Sequence, residues 1–183
     1  EWSVDPDTGR LDPSGIDALL DSRVRVVTMP HASNIVGEIN PVAETARKAR
    51  SVGAITIVDG VSYAPHGLPD LLELGCDIYL FSAYKTYGPH QGIMLMSEAF
   101  GAELPAQGHW FNAGTLYKKF TPAGPDHAQI AACAGMADYI DALYAHHFAG
   151  DAPAVERNAR VHDLMRAAEV QAVAPLLDYL AGR

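Results

Sequence analysis

Cysteine is scarce in this sequence, and its two cysteines form no recognisable pattern. Cys76 and Cys133 are too far apart for the spacing of a zinc site or a short disulfide loop, so the sequence predicts a reducing, cytoplasmic setting. Neither cysteine lies in a mobile loop of the kind that carries a nucleophilic thiol. Histidine is more frequent, but no HExxH pair exists, so we expect no metal site. The histidines in predicted loops are His31, His66, His90, His109 and His127.

Basic residues are also in the minority, with 13 Lys and Arg against 22 Asp and Glu and a formal charge of −9. A surface of that sign argues against binding to nucleic acid or to an anionic membrane. No apolar run is long enough to cross a bilayer, and no signal peptide is visible at the start. The GxGxxG and P-loop motifs are missing, so dinucleotide binding and phosphoryl transfer are unsupported.

Short apolar runs alternate with helical patterns along the chain. The sequence predicts strands at 24–29, 54–58 and 77–81 and an edge strand at 93–96, and continuous apolar strands of this kind are typically buried on both faces. This order predicts an α/β fold with a mainly parallel sheet. We expect residues 101–125 to be irregular. The predicted helices are 14–20 (capped by Ser14), 41–53, 68–74, 127–147, 153–168 and 175–180.

Polar residues follow three consecutive predicted strands. Asn34 follows the first strand, Asp59 the second, and Ser82 and Lys85 the third. The carboxyl ends of parallel strands meet at one edge of a sheet, where open α/β sheets bind their ligands. A partly desolvated lysine at that edge can act as a nucleophile toward a carbonyl, whereas an ordinary strand-end lysine extends into solvent.

Asp59 and Lys85 allow two interpretations. The pair could be a structural ion pair that neutralises a buried carboxylate. Alternatively, both groups could face one ligand. Pyridoxal phosphate is such a ligand, since its ring nitrogen pairs with an aspartate and its aldehyde forms a Schiff base with a lysine.

Four segments together carry a family resemblance, which runs over most of residues 24–147. The chain resembles the class V branch of fold-type I pyridoxal-phosphate enzymes, which includes cysteine desulfurases and selenocysteine lyases. The resemblance implies an α-β-α sandwich in which residues 1–150 are part of the large domain. Residues 151–183 would be a helical connection toward a small domain. The segments are HASNIVGEINPV (31–42), VDGVSYAPH (58–66), DIYLFSAYKTYGPHQGIM (77–94) and FTPAGPDHAQIAA (120–132).

The resemblance also implies roles for individual residues. Lys85 would carry the internal aldimine, and Asp59 would keep the pyridinium nitrogen protonated. Asn34 would lie near the phenolic oxygen of the cofactor. Ser82 would bind its phosphate.

Three positions depart from the desulfurase pattern. Ser62 stands where that pattern has glutamine, and Tyr84 stands where it has histidine, although a tyrosine hydroxyl can still donate to a phosphate. Pro125 replaces a threonine that the family contributes to the phosphate of the partner subunit. We expect Ser62 and Tyr84 to remain part of the cofactor shell, whereas the substrate class does not carry over.

The resemblance predicts a pyridoxal 5'-phosphate enzyme that acts on an amino acid, with cysteine desulfurase-like C–S cleavage. Two alternatives remain open, namely a class V aminotransferase and a non-catalytic fragment that keeps the fold without a complete site. The family's phosphate-binding turn would precede Glu1, and its small domain would follow Arg183. His66 is either a proton carrier or a structural histidine.

The irregular stretch 101–125 is rich in aromatic residues, which are costly to expose to water and frequent at interface centres. The resemblance directs this stretch toward a neighbouring subunit, so we expect a homodimer with the site at the interface. The alternative is that these rings cover the chain's own sheet. They are Trp110, Phe111, Tyr117 and Phe120.

Overall fold

The computed structural model of the protein describes residues 1–106, 108–121 and 124–182. Gln107, Pro122 and Ala123, which belong to the stretch predicted to be irregular, lie outside the described residues, as does Arg183.

The centre of the fold is a four-stranded sheet whose strand order follows the chain. Strands β1 (Val26–Pro30), β2 (Ile55–Asp59) and β3 (Ile78–Ser82) run parallel, and β4 (Gly92–Met96) pairs antiparallel with β3. The predicted α/β class with a mainly parallel sheet is confirmed, and each strand lies within two residues of its predicted position. β4 forms an edge of the sheet, as predicted.

Helices connect the strands and continue the chain after β4. In the described residues they are α1 (Val42–Ser51), α2 (Leu71–Leu74), α3 (Glu98–Glu103), α4 (Leu116–Phe120), α5 (His127–Ala132), α6 (Ala134–His147) and α7 (Ala154–Ala181). Shorter 3₁₀ turns occur at Ala64–His66, Ala83–Lys85 and Trp110–Asn112.

The expectation that the strands are buried on both faces is wrong for the described residues. Burial alternates along β1, β2 and β3, and one face packs in a core with Val42 of α1 and Met136 of α6. Residues of the opposite face are more open, and Val26 and Met94 are 47% and 42% exposed. The β-branched runs therefore predicted the positions of the strands, but not whether one or both faces of the sheet are buried. The side chains of the covered face are Val27, Met29, Thr56, Val58, Tyr79 and Phe81.

The predictions of the two shortest helices before β3 need correction. Residues 14–20 form consecutive turns instead of a helix, and the hydroxyl of Ser14 donates to Asp12 Oδ2 at 2.6 Å instead of capping. The helix predicted over 68–74 is limited to α2, which Asp70 caps through its Oδ1.

The remaining differences concern the C-terminal helices. The predicted helix 127–147 is divided at Cys133 into α5 and α6. The two helices predicted over 153–168 and 175–180 are one continuous helix, α7, with Pro175 inside it. Arg157 of α7 binds Asp141 of α6 through its Nε at 2.8 Å, so the two helices pack together. The stretch predicted to be irregular, 101–125, contains the end of the short helix α3 and all of α4.

Candidate functional site

Asn34 lies in a tight loop directly after β1. The N–H of Ser33 donates to the carbonyl of Glu38 at 2.9 Å, and the N–H of Gly37 donates to the carbonyl of Ser33 at 3.0 Å. The Ser33 hydroxyl oxygen also accepts the N–H groups of Ile35 and Val36, both at 3.3 Å. Gly37 has φ +69°, a conformation that suits glycine. The loop therefore presents the exposed Asn34 amide beyond the sheet edge.

Asp59 is the last residue of β2 and is anchored at two points. Its carboxylate Oδ1 accepts the N–H of Val61 at 2.9 Å, and its carbonyl accepts the N–H of His31 at 2.7 Å. The chain then turns sharply, since the N–H of Ala64 donates to the carbonyl of Gly60 at 2.8 Å. Ser62 lies within this turn, which spans residues 60–64. We call it the Asp59 turn.

Lys85 is held by a 3₁₀ turn that follows β3. The N–H of Ala83 donates to the carbonyl of Gln91 at 2.8 Å, and the hydroxyl of Thr86 donates to the carbonyl of Ser82 at 3.0 Å. Ala83 is fully buried whereas Lys85 is exposed. The expected partial desolvation of Lys85 is therefore not observed, because the turn directs this residue away from the core.

Four of the six predicted site residues line one cleft at the sheet edge, with a volume of about 280 Å³. Residues of the N-terminal segment, which the sequence predicts only as a loop, form another wall. The cleft continues into a wider one of about 1020 Å³, which shares Asn34, Ser62 and Lys85 with it. The predicted residues that line the first cleft are Asn34, Asp59, Ser62 and Lys85.

Asp59 and Lys85 are not paired with each other. Among the described residues, no hydrogen bond or ion pair involves the amine of Lys85, and the Asp59 carboxylate accepts only the Val61 N–H. The interpretation as a structural ion pair is therefore wrong. The carboxylate and the amine both remain available to a ligand in the cleft.

Ser82 and Tyr84 do not line either part of the cleft. Tyr84 is exposed and stacks on His90, with ring centroids 4.8 Å apart. The carbonyl of Ser82 accepts the Thr86 hydroxyl. These two residues are thus separate from the other four, and their phosphate-binding roles stay predictions.

His31 lies between Pro30 and Ala32, which both line the cleft, and the sequence indicated no role for it beyond that of a loop histidine. It is 4% exposed, its Nδ1 lies 2.9 Å from Tyr79 Oη, and its ring stacks on Tyr63 with centroids 3.7 Å apart. Burial lowers the pKa of His31 to about 4 and raises the pKa of Tyr79. The position of His31 directly after a strand was the one available signal.

Helix α7 reaches the outer part of the cleft, which the sequence did not indicate. Arg166 Nη2 donates to the carbonyl of His66 at 3.2 Å, and Glu169 Oε2 lies 3.5 Å from His66 Nδ1. These three residues line the wider cleft together with Lys85. His66 therefore connects α7 to the Asp59 turn, which favours the structural alternative for this histidine.

Within the described ranges, no cluster of three or more His, Cys, Asp or Glu side chains is suited to hold a metal ion. No helix in the described part of the chain combines the length and the apolar character needed to span a membrane.

The family model for aminotransferase class-V matches residues 2–143 of the chain. The chain belongs to the aminotransferase class-V family. This result confirms the resemblance that the four segments carry. Similar sequences include an aminotransferase-like protein, FGM3, of Gibberella zeae, which is 40% identical over 72% of this chain and 33% of its own length. A cysteine desulfurase of Dickeya dadantii is 36% identical over 75% of this chain and 36% of its own length.

Solved structures with a similar fold include the cysteine desulfurase CsdA of Escherichia coli, with a TM-score of 0.67 and 20% identity. That match covers 84% of this chain and 39% of CsdA. A pyridoxamine-pyruvate aminotransferase of Mesorhizobium loti has a TM-score of 0.56 and 22% identity, over 72% of this chain and 38% of its own. The chain thus spans about a third of the length of its curated relatives.

Proposed function

We propose that this class V chain forms the cofactor-holding part of a pyridoxal 5'-phosphate enzyme that acts on an amino acid. Cysteine desulfurase-like C–S cleavage is the reaction we favour. The observation that carries the proposal is the cleft at the sheet edge, which Asp59 and Lys85 both line without a hydrogen bond or ion pair between them. The family and the desulfurase relatives support it.

The donor set fits the ring end of this cofactor. Oδ1 of Asp59 is fixed by the Val61 N–H, which leaves Oδ2 to hold a protonated ring nitrogen. Nζ of Lys85 has no protein partner within the described residues, so it is the group that would hold the cofactor aldehyde. When bound, pyridoxal phosphate supplies an electron sink that stabilises negative charge on the substrate Cα.

Asn34, Ser62 and Lys85 have further proposed roles. The Asn34 amide and the Ser62 hydroxyl line both parts of the cleft and can donate to oxygen atoms of the cofactor. With cofactor and substrate bound, Nζ of Lys85 would be the base that takes the proton from the substrate Cα. Ser82 and Tyr84 remain predicted phosphate ligands, although they lie outside the cleft.

The second candidate is a class V aminotransferase. It is favoured by the fact that no cysteine lines the cleft in the described residues. Cys76 is half-buried and its pKa is raised by burial, and Cys133 lies between α5 and α6. C–S cleavage of the desulfurase type would need a thiol from outside this chain. A non-catalytic fragment stays the third candidate, since the chain spans about a third of its relatives.

A homodimer is part of the proposal. Trp110, Phe111 and Tyr117 are all more than 60% exposed, so they do not cover the chain's own sheet. Phe120 alone of the four predicted aromatics is half-buried, in a groove beside β4. We further propose that residues 1–150 belong to the large domain, that 151–183 lead toward a small domain, and that the protein is cytoplasmic.

Borohydride reduction of the purified complete protein tests the cofactor site. We expect peptide mapping to find the reduced cofactor on Lys85, and Lys85→Ala to abolish the adduct. Lys118→Ala is the control, because Lys118 is positioned near the Tyr117 ring and lies outside the cleft. An adduct on Lys118 or Lys119 in place of Lys85 would contradict the assignment.

Product analysis separates the reaction candidates. With L-cysteine, a desulfurase yields alanine and reducible sulfur, whereas an aminotransferase yields a keto acid and needs a second keto acid to turn over. Cofactor binding without any turnover of amino acids would favour the non-catalytic alternative.

A further inference from the structure

His31 is held at two points that differ in chemistry. Its ring stacks on Tyr63, with an interplanar angle of 16°, and its Nδ1 faces the hydroxyl of Tyr79 at 2.9 Å. The ring of Tyr79 meets the imidazole edge-on, at 88°. Stacking requires a flat ring and the hydrogen bond requires a nitrogen at one position, so the two contacts together determine the orientation of the imidazole.

The backbone of His31 joins the ends of two strands. Its N–H donates to the carbonyl of Asp59 at 2.7 Å, and its carbonyl accepts the N–H of Asn40 at 2.8 Å. The Asn40 side chain returns to the carbonyl of Pro30 at 2.9 Å. His31 is therefore connected to β1 and β2 through its main chain and to β3 through Tyr79.

These contacts converge on the turn that carries the candidate site. Tyr63 belongs to the Asp59 turn, and Gly60 of that turn packs directly on Tyr79. We propose that His31 is a positioning residue of the cleft. By holding Tyr63 and Tyr79 together, it fixes Asp59 and Ser62 relative to the strand that leads to Lys85. This inference rests on the proposed cofactor site, but its first test does not.

The protonation states support a directional contact. Because burial lowers the pKa of His31 to about 4, the imidazole is neutral at neutral pH. The pKa of Tyr79 is raised, so its hydroxyl keeps its proton and can donate to Nδ1. The proton of the neutral imidazole then resides on Nε2.

Three variants separate the two contacts. His31→Phe keeps a ring for stacking and removes the nitrogen, whereas His31→Asn keeps a polar atom near Nδ1 and removes the ring. Tyr79→Phe removes the hydroxyl from the other side. The matched control is His162→Phe. His162 is also buried, at 5% exposure, and its Nδ1 bonds to the carbonyl of Asn158 at 2.8 Å, but it does not line the cleft.

Hydrogen exchange of the backbone amides in the Asp59 turn is the first measurement, and it needs no cofactor. We expect about 5- to 10-fold faster exchange in His31→Phe and Tyr79→Phe, as the loss of one buried hydrogen bond implies. His162→Phe should leave the turn unchanged. Equal acceleration in the His162 control, or none in the His31 and Tyr79 variants, would overturn the proposal. Tyr79→Phe keeps the test decisive if a His31 variant does not fold.

The visible absorption of bound pyridoxal phosphate, followed against pH in the complete protein, is the second measurement. We expect the midpoint of the spectral transition to shift in His31→Phe and Tyr79→Phe, with a smaller shift in His31→Asn and none in His162→Phe. A shift is a sign of altered positioning that a loss of global stability does not produce. If the exchange result holds and the unmutated protein binds no cofactor, the proposed function fails and the positioning role of His31 stands.

Discussion

Gly60 packs against the ring of Tyr79 so closely that no Cβ fits between them. Tyr79 is 1% exposed and is fixed by His31 and by its place in β3, so it cannot move away. We predict that Gly60→Ala destabilises the protein by about 1–3 kcal/mol, the usual cost of overpacking a core. The midpoint and slope of denaturant unfolding measure this change.

Gly114→Ala is the matched control for that variant. Nothing lies within 4 Å of a Cβ built on Gly114, and its φ is not in the left-handed region. We expect its unfolding free energy to stay within about 0.5 kcal/mol of the unmutated protein, as for most surface substitutions. Equal stability of the Gly60 and Gly114 variants would contradict the packing argument.

Asp59→Asn tests the role of the carboxylate. An amide oxygen can still accept the Val61 N–H, so we expect the fold to be kept. A neutral amide cannot hold a ring nitrogen protonated, so turnover of the amino-acid substrate should fall by at least about 100-fold. Steady-state kinetics measure this, and Asp138→Asn, an exposed substitution on α6, is the control. Near-normal turnover in Asp59→Asn would show that the carboxylate is only structural.

The meeting of polar residues at one sheet edge could be predicted because it depends on local sequence and on a rule of parallel sheets. Each strand is a short apolar run, and Asn34, Asp59 and Lys85 follow the ends of three such runs. Parallel pairing of β1, β2 and β3 then brings these residues to one edge. Nothing in that argument requires knowledge of distant contacts.

The remaining features depend on distant contacts and could not be predicted in this way. The turn after β3 is held by the carbonyl of Gln91, which accepts the N–H of Ala83, and neither Ser82 nor Tyr84 lines the cleft. The role of His31 needs Tyr79, 48 residues later in the chain. The predicted cap at Ser14 failed for a local reason, since its hydroxyl binds Asp12 instead.

Stability should depend on pH through His31. Its folded-state pKa is about 4, below the ordinary value of 6.5, so the unfolded chain binds the additional proton as the pH falls from about 6.5 to about 4. Stability is therefore complete above pH 6.5 and is lost toward pH 4, by up to about 3 kcal/mol from this group. Unfolding free energies at pH 7 and pH 4.5 measure the loss.

A variant without a histidine at position 31 is the control for that pH dependence of stability. His31→Asn has no titratable group at this site, so we expect a smaller difference between pH 7 and pH 4.5 than in the unmutated protein. Carboxylates whose pKa is lowered, such as Asp141 beside Arg157, contribute equally to both proteins and cancel in the comparison. An identical difference in the two proteins would show that folding does not lower the pKa of His31.

The aromatic residues of the 101–125 stretch are exposed. We predict that the complete protein is a homodimer and that Trp110→Asp separates it into monomers. Trp110 is 86% exposed and packs edge-on against Phe111, with ring centroids 5.9 Å apart, so the pair offers apolar surface to a second copy. A carboxylate at the centre of such an interface would be buried without a partner, which costs several kcal/mol.

Light scattering of the purified protein measures the mass of the assembly. Leu72→Asp is the control, since Leu72 is 93% exposed on α2 and does not belong to this stretch. Dimers that persist in Trp110→Asp, dissociation of the Leu72 control to the same degree, or a monomeric unmutated protein would each count against an interface at Trp110.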